Sequence, residues 1–296
     1  MSSSQHATSV CRVAAVQMTS GTDTDANLRA ASEALARAAE GGAELAVLPE
    51  NFAGYGVDYR ALGERYGELC GWLIERARTL GLWVIGGSIP ALTRPGGEPV
   101  PAPRVRTRSV LAGPDGEITA LYDKLHLFDA DVSDRQGRYR ESDVFEPGEQ
   151  AVVATAAGLQ VGLAICYDLR FPLHARVLAD RGAGLIVYPS AFTATTGAAH
   201  WALLLRACAV QNGCYVLGAN QCGQHSEARA SFGHSMLVDP WGRVVASAEG
   251  DQADRPGVVF GTVDPAVLDQ IRSGLPVHTH QRFKVNGPYD LQRTDL

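Results

Sequence analysis

The chain changes character abruptly within one stretch, Gly162-Leu163-Ala164-Ile165-Cys166-Tyr167-Asp168-Leu169-Arg170-Phe171-Pro172. Residues 161–165 are all apolar or glycine, which predicts a strand that is buried on both faces. Pro172 suits the first turn of a following helix. Cys166 is therefore expected at the C-terminal end of a strand, the edge where α/β folds bind ligands, and beside a helix N-terminus that favours a thiolate over a thiol. The alternative is a small buried core cysteine, but the polar residues that follow argue against it.

The composition limits the possible classes of protein. The 296 residues, 46% of them hydrophobic, are enough to bury a full globular core. A net charge of −6 without long like-charge runs provides neither a basic nucleic-acid surface nor a polybasic membrane anchor. No apolar run is long enough to cross a bilayer, and residues 1–9 lack the features of a signal peptide. We therefore predict a cytoplasmic protein with a disordered leader at residues 1–9 and no nucleic-acid or membrane partner.

The cysteines and the glycine motifs bear on cofactors. No two cysteines form a C-x-x-C pair, and most lie inside apolar segments, which is typical of a reducing compartment rather than of disulfides or a zinc site. The chain also lacks the G-x-G-x-x-G and Walker A patterns of nucleotide-binding proteins. The sequence therefore predicts no metal and no organic cofactor. The six cysteines are Cys11, Cys70, Cys166, Cys208, Cys214 and Cys222.

Strand and helix patterns alternate along the chain, and no linker divides it. Two further strands flank the turn Gly113-Pro114-Asp115-Gly116 and are expected to pair antiparallel. This order predicts one α/β domain over residues 10–291. The principal predicted elements before the turn are strand 13–18, helix 25–40, strand 44–48, helix 64–80 and strand 82–88, and those flanking it are strands 106–111 and 118–122.

Two charged residues resemble Cys166 in lying just after the C-terminal end of a predicted strand. Glu50 follows strand 44–48 and Lys124 follows strand 118–122, so a sheet could bring all three side chains to one edge. A cysteine nucleophile needs a base, a cation that stabilises developing negative charge, and nearby backbone N–H groups. Glu50 and Lys124 would supply the base and the cation. Alone, such a glutamate more often caps a helix or lies on the surface, and such a lysine is usually solvated.

Other hydrolytic chemistries find less support. None of the eight histidines shows a pattern linking it to Cys166, and no G-x-S-x-G serine elbow is present. Residues 123–148 form a long polar loop, and such loops in compact domains are usually functional or disordered. Glu141 is one of several charged residues in this loop and could simply be solvated.

Three blocks of sequence resemble the catalytic blocks of the nitrilase, or carbon-nitrogen hydrolase, superfamily, and they occur in the family's order and spacing. The resemblance extends over residues 10–291 and implies a single-domain, four-layer α-β-β-α sandwich that dimerises through helices next to the active site. The blocks are Leu48-Pro49-Glu50-Asn51-Phe52, Tyr122-Asp123-Lys124-Leu125-His126-Leu127-Phe128 and the stretch Gly162–Pro172 quoted above.

The resemblance also implies roles for individual residues. Glu50, Lys124 and Cys166 match the catalytic triad, and Glu141 matches a second glutamate that supports it. Glu50 would take the thiol proton, Cys166 would attack the amide carbonyl, and Lys124 with the backbone N–H of Tyr167 would hold the oxyanion. Water would then hydrolyse the resulting thioester.

The branch of the superfamily can be narrowed. Cys166 is followed by Tyr167-Asp168, as in the amidase-type branches, where true nitrilases have Trp-Glu. Later blocks resemble the deaminated glutathione amidase branch, and the related ω-amidase branch is less similar around Gln221-Cys222-Gly223. Ala202 and Cys208 depart from the family pattern, which leaves substrate choice open. The blocks that resemble this branch are Tyr188-Pro189-Ser190-Ala191-Phe192, Thr196-Gly197, Gln221-Cys222-Gly223 and Gly233-His234-Ser235-Met236.

The function implied is hydrolysis of a small linear amide, such as the α-keto-acid amide deaminated glutathione, rather than of protein backbones. An ω-amidase, an N-carbamoyl amino acid hydrolase, a nitrilase and a non-catalytic binding protein of the same fold stay open as alternatives. Arg170, Phe192 and Thr196 are candidate substrate contacts, although Arg170 is equally consistent with pairing to a local acid.

The helix predicted over residues 200–211 is unusually apolar. Its apolar residues wrap around more than one face, whereas a helix covering a monomer needs only one apolar stripe. The excess needs a second surface to bury it. We therefore predict a homodimer or a higher even-numbered homo-oligomer in which this helix lies at a two-fold interface.

Overall fold

The computed structural model describes residues 10–285 and 291–293, so the leader predicted at residues 1–9 lies outside the described residues. The helices are α1 (Thr24–Glu40), α2 (Tyr59–Glu64), α3 (Tyr66–Leu80), α4 (Pro172–Asp180), α5 (Ala194–Asn212), α6 (Pro265–Gly274) and α7 (Val277–His280). The strands are β1 (Cys11–Gln17), β2 (Leu45–Val47), β3 (Trp83–Ile85), β4 (Ile89–Ala91), β5 (Arg106–Ala112), β6 (Ile118–Asp123), β7 (Asp129–Asp131), β8 (Arg138–Arg140), β9 (Val152–Ala156), β10 (Leu159–Leu163), β11 (Leu185–Ser190), β12 (Tyr215–Asn220), β13 (Cys222–Gln224), β14 (Ala230–Phe232), β15 (Met236–Val238), β16 (Val244–Ser247), β17 (Gly257–Val263), β18 (Phe283–Val285) and β19 (Leu291–Arg293).

Two large sheets contain most of these strands. The first has the order β17-β1-β2-β3-β5-β4, with β6 paired to β5, and the second has the order β16-β15-β12-β11-β10-β9. The inner strands β1, β2 and β3 of the first sheet are parallel, as are β10, β11 and β12 of the second. Strands β5 and β6 pair antiparallel, as predicted. The carboxyl ends of the parallel strands are therefore the positions at which sequence-distant side chains can meet.

Three apolar clusters separate four layers, which confirms the predicted α-β-β-α sandwich. Alternate residues of β1 show how: Ala14 packs in the cluster beneath α1 and α3, whereas Val13 packs in the cluster between the two sheets. The third cluster lies between the second sheet and the helices α4 and α5, and includes Ile186 and Trp201. Strands buried on both faces explain the near-continuous apolar runs in the sequence.

Local chemistry fixes the helix ends. The Asp23 side chain accepts the Ala26 N–H at 3.0 Å and caps α1, and Pro172 occupies the first turn of α4, as predicted. The helix predicted over residues 64–80 is interrupted at Arg65, so that α2 and α3 are separate. Helix α5 begins six residues earlier than the predicted residue 200, because the Thr193 hydroxyl caps a first turn that lacks an apolar pattern.

The strand that leads to Cys166 lies two residues earlier in the sequence than predicted. Strand β10 ends at Leu163, and a 3-10 helix, Cys166–Arg170, begins shortly after it. The reason is a local hydrogen bond: the Ile165 N–H donates to the Asp168 carboxylate at 2.9 Å instead of to a neighbouring strand. Within the described part of the chain, no helix is long and apolar enough to cross a membrane.

Candidate active site

A buried ammonium lies between two carboxylates at the edge of the first sheet. Lys124 Nζ donates to Glu50 Oε1 at 2.8 Å and to Glu141 at 2.8 and 3.1 Å. Lys124 is only 1% exposed and Glu50 only 3%. The structure thus brings together three residues that are separated in the sequence, and two carboxylates surround the buried cation.

The fourth predicted residue joins this group from the second sheet. Cys166 lies close enough to Glu50 and to the backbone N–H of Ala191 for both to act on its thiol: the charge of Glu50 raises the pKa of Cys166, and the Ala191 N–H lowers it. Tyr167 is the second residue of the 3-10 helix, and backbone N–H groups in a first turn have no helical carbonyl to bind. The arrangement therefore places a thiol, a carboxylate, an ammonium and backbone donors around one point.

The turns that present Glu50 and Cys166 have unusual backbone geometry. Cys166 has a φ of 46°, and Asn51, directly after Glu50, has a φ of 57°. Such values are uncommon for residues other than glycine and concentrate at functional sites. The Asn51 N–H donates to Ser88 Oγ at 2.9 Å, and the Gln221 side chain donates to the Glu50 carbonyl at 3.0 Å. The turn at Glu50 is thus held by contacts from distant segments.

A glycine makes room for the turn at Glu50. Gly87 has a φ of 41°, and a Cβ atom built on it would lie 2.0 Å from the carbonyl oxygen of Pro49. Only glycine allows the chain after β3 to pass this close to the residue that precedes the glutamate.

Lys124 and Glu141 are fixed by the segments that carry them. Lys124 continues the pairing of β6, because its N–H donates to the Thr107 carbonyl on β5 at 3.0 Å. Glu141 begins a short 3-10 helix in the loop predicted over residues 123–148, and its Oε2 also accepts the Phe128 N–H at 2.7 Å. This loop is therefore ordered around the ammonium.

Asp168 connects the cysteine turn to the lysine segment. Its fully buried carboxylate accepts the Tyr122 hydroxyl at 2.6 Å, the His126 N–H at 3.0 Å and the Ile165 N–H at 2.9 Å. His126 Nδ1 lies 2.7 Å from the same carboxylate. Burial raises the pKa of Asp168, but hydrogen bonds from His126, Tyr122 and Ile165 outweigh burial and lower it. The sequence marks Asp168 only as a feature of the amidase-type branch; the signal for its structural role is a carboxylate two residues after the cysteine.

The same aspartate belongs to the only group of three metal-ligand side chains that come together in the described ranges. One ligand atom from each of His126, Asp168 and His174 lies within 4.8 Å of the others. The Asp168 oxygens already accept hydrogen bonds from protein donors, and the His126 ring stacks on Phe171 at 3.6 Å. Asp168 and His126 are therefore engaged in the structural connection, whereas neither ring nitrogen of buried His174 has a hydrogen-bond partner among the described residues.

The protonation states follow from burial and neighbouring charges. Burial raises the pKa of Cys166 well above its ordinary value and Glu50 adds to this, whereas Lys124 and the Ala191 N–H act in the opposite direction. Burial likewise raises the pKa of Glu50, against the effect of Lys124. Burial lowers the pKa of Lys124, but the charges of Glu141 and Glu50 outweigh it and raise that pKa well above its usual range.

The expectation that a helix N-terminus favours the Cys166 thiolate is therefore wrong. Helix α4 begins only at Pro172, while burial and the charge of Glu50 raise the pKa of the Cys166 thiol. The raised pKa of Cys166 favours the thiol, so a nucleophile forms when Glu50 accepts the thiol proton.

All three candidate substrate contacts have structural partners. Arg170 donates to His200 Nδ1 at 3.2 Å, and its guanidinium lies 5.2 Å from the centre of the Phe192 ring. Phe192 also packs on Trp201, with ring centres 4.9 Å apart. Thr196 donates its N–H to the Thr193 hydroxyl in the cap of α5. Their contact with substrate stays a prediction.

We expect Asp168→Asn to lower kcat for amide hydrolysis about 100-fold, because a shift of about 1 Å between reacting groups has this cost. The asparagine amide would face the N–H groups of Ile165 and His126 and displace the cysteine turn. The measurement is steady-state kinetics on the purified variant.

Asp239→Asn is the matched control for this experiment. Asp239 is also a buried turn aspartate, and its carboxylate accepts the N–H groups of Trp241 and Arg243, each at 2.9 Å, away from the site. It should lose stability without losing kcat. A folded Asp168→Asn protein with unchanged kcat would contradict the connecting role.

Comparisons with known proteins fit this geometry. The family model described as carbon-nitrogen hydrolase matches residues 12–273. The deaminated glutathione amidase of Yersinia enterocolitica is 39% identical over 276 residues, which are 92% of this chain and 93% of that protein. The family match spans every residue of the site described above.

Solved structures agree with the fold. The crystal structure of the Caenorhabditis elegans NitFhit protein superposes with a TM-score of 0.83 and 35% identity, covering 93% of this chain and 66% of that one. An amidase from Nesterenkonia sp. AN1 superposes with a TM-score of 0.73 and 29% identity, covering 90% of this chain and 96% of that one. That structure is of a glutamate-to-glutamine mutant with the acetamide moiety of fluoroacetamide added covalently at its active-site cysteine.

Proposed function

This chain belongs to the carbon-nitrogen hydrolase family and hydrolyses amide bonds, and from that premise we propose that its substrates are short linear amides of α-keto acids, including deaminated glutathione. The substrate class is supported by the similarity to relatives named deaminated glutathione amidase, one from Yersinia enterocolitica and another from Homo sapiens, 40% identical over 281 residues. The family match supports a single domain, which we propose extends over residues 10–291.

The observation that carries the mechanism is the contact of the Cys166 thiol with Glu50, whose carboxylate is also bonded to Lys124. Glu50 takes the thiol proton while the sulfur attacks the amide carbonyl carbon. The Lys124 ammonium and the Tyr167 N–H stabilise the resulting oxyanion. Because burial raises the pKa of Glu50, its carboxylate is a stronger base than a solvated one, which it needs to be because burial also raises the pKa of the thiol.

Collapse of the tetrahedral intermediate completes the cycle. Glu50 returns its proton to the departing amine as the C–N bond breaks, leaving a thioester on Cys166. Glu50 then takes a proton from water, which attacks the thioester and releases the acid and the thiol. Glu141 keeps Lys124 charged throughout, because it binds the ammonium through both oxygens. No step uses a metal or an organic cofactor.

Mass spectrometry of the products from an amide panel tests the substrate class. The panel contains deaminated glutathione, other α-keto-acid amides, N-carbamoyl amino acids and nitriles, and Cys166→Ala protein is the blank. We expect the mass spectra to show the free α-keto acid and the released amine from the α-keto-acid amides. Turnover confined to α-keto-acid amides with an unsubstituted terminal amide would instead identify an ω-amidase, and turnover confined to carbamoyl compounds or nitriles would identify the corresponding enzymes.

We also propose a cytoplasmic homodimer. All six cysteines are unpaired, as expected in a reducing compartment. Helix α5 buries Trp201 and Leu205 against the second sheet, yet Leu203 is 65% exposed on its outer side. On the neighbouring helix α4, Leu173 is 57% exposed. A second copy of the chain that covers both helices would bury these side chains beside the cysteine turn.

Leu203→Asp is expected to dissociate this dimer and to lower turnover. Of the leucines in α5, Leu205 is fully buried and Leu204 half-buried, so Leu203 is the one that faces outward. An aspartate there would place a charge in an apolar interface without disturbing the core. Light scattering and activity measured at the same protein concentration check the prediction.

The control is Val245→Asp, which puts the same charge on an exposed position of strand β16, outside helices α4 and α5 in the sequence. It should leave assembly and turnover unchanged. A wild-type protein that is a fully active monomer at assay concentration would refute the dimer.

A further inference from the structure

One guanidinium near the site has no anionic partner among the described residues. Arg229 lies between strands β13 and β14, and its buried Nε has no hydrogen-bond acceptor there. Its closest neighbours are aromatic: the guanidinium carbon lies 4.6 Å from the centre of the Tyr55 ring and 5.3 Å from that of Tyr139. Aromatic faces attract a cation, but they accept no hydrogen bonds in the plane of the guanidinium.

Aromatic contacts connect this guanidinium to the cysteine turn. The Tyr139 ring packs on Phe128 at 5.1 Å, and Phe128 packs on Tyr167, the residue after Cys166, at 5.0 Å. Tyr139 also stands two residues before Glu141 in the sequence. Arg229 and the triad therefore share one wall of aromatic side chains.

The net charge of the site explains why a substrate with a carboxylate would need a second cation, besides Lys124, to bind it. Two carboxylates and one ammonium, beside a neutral thiol, leave the triad and Glu141 with a net negative charge. A substrate that carried its own carboxylate would be repelled by this charge unless a second cation received it. Burial lowers the pKa of Arg229, but the neighbouring tyrosines and Glu141 raise it, so the guanidinium stays charged and within electrostatic reach of the site.

We propose that Arg229 forms an anion subsite that binds the carboxylate of the amide substrate. The proposal rests on the proposed amidase function, because it assigns a recognition element to the substrate of the same site. A guanidinium can form two parallel hydrogen bonds with a carboxylate, and Nε is one of the donors in that geometry. Arg170 is less suited to this role, because it already donates to His200. The ligand class is thus a short amide whose acyl part ends in a carboxylate.

Two matched amides test the subsite. Glutaramate carries a carboxylate, whereas 5-oxohexanamide has a neutral acetyl group in its place. We expect Arg229→Gln to lower the ratio of kcat/KM for glutaramate to that for 5-oxohexanamide by about 10- to 100-fold, mostly through KM, as is usual for a charged hydrogen bond. Arg229→Lys should restore part of the ratio, because it keeps the charge but loses the paired geometry.

Arg135→Gln is the charge-matched control. Arg135 donates to the Glu227 carbonyl, in the same loop as Arg229. This variant removes one positive charge beside that loop and should leave the ratio of the two kcat/KM values unchanged. An equal decrease for both amides in the Arg229→Gln variant would show that Arg229 only supports the structure and would overturn the proposal.

A binding measurement separates this proposal from the amidase function. Glutarate is titrated calorimetrically into Cys166→Ala protein with and without Arg229→Gln. Weaker binding in the double variant supports the subsite even if neither amide is hydrolysed, a result that would count against the proposed function alone. Undetectable glutarate binding to the Cys166→Ala protein, or equal binding to both variants, overturns the subsite whatever the turnover.

Discussion

A Cys166→Ala protein is expected to lose amide hydrolysis by about 10⁴-fold or more while keeping its fold. The sulfur is the atom that would form the acyl bond, and no other nucleophile is described beside Glu50 and Lys124. The side chain is small, so its removal leaves little cavity. Product formation from a preferred amide gives the activity, and thermal unfolding gives the stability.

A second cysteine variant controls for the loss of a thiol. Cys70→Ala removes a buried sulfur from α3, far along the chain from Cys166, and should cost some stability but no activity. Appreciable turnover by a purified Cys166→Ala protein would refute the assignment of the nucleophile.

Lys124→Met is expected to remove activity and to lower the free energy of unfolding by about 3–5 kcal/mol near neutral pH. The two carboxylates that bind Nζ would face each other in a buried site with no cation between them. One carboxyl group would then have a raised pKa in the folded state. Because such a group binds a proton more readily when folded than when unfolded, the variant should regain stability as the pH falls from neutral into the acidic range. Denaturant unfolding at several pH values measures this slope.

The double variant Lys124→Met/Glu141→Gln separates the two effects. It removes one of the facing carboxylates, so it should recover much of the lost stability and reduce the pH slope, without recovering turnover. A single variant with near-normal kcat, or with a stability loss that does not change with pH, would contradict the role of Lys124.

Much of the site was predictable because its residues follow strands. The ends of buried strands can be recognised from apolar runs, and parallel strands bring their ends to one edge, so Glu50, Lys124 and Cys166 could be grouped from sequence. The family match and the similarity to relatives named as amidases confirm the resemblance from which the fold was predicted.

Other features depend on contacts that no local pattern records. The early end of β10 depends on the Asp168 carboxylate, which replaces a strand neighbour as the acceptor for Ile165. The protonation of Cys166 depends on Glu50, a residue far earlier in the sequence. Arg229 stands in an unremarkable polar loop, and only the fold reveals that no carboxylate among the described residues pairs with it. Apolar spacing predicts helix α5 only from residue 200, because its first turn is defined by the Thr193 cap and has no apolar pattern.

The members of the site come from two different sheets, and this has a consequence for refolding. Glu50 and Lys124 follow strands of the first sheet, whereas Cys166 follows a strand of the second, and Gln221, directly after β12 of the second sheet, holds the Glu50 carbonyl. Neither sheet alone can assemble a catalytic group. During renaturation, activity can therefore return only after the sheets have docked, and docking joins segments far apart in sequence, which is the slow class of folding event. Catalytic recovery would thus report the completion of folding and not the formation of secondary structure.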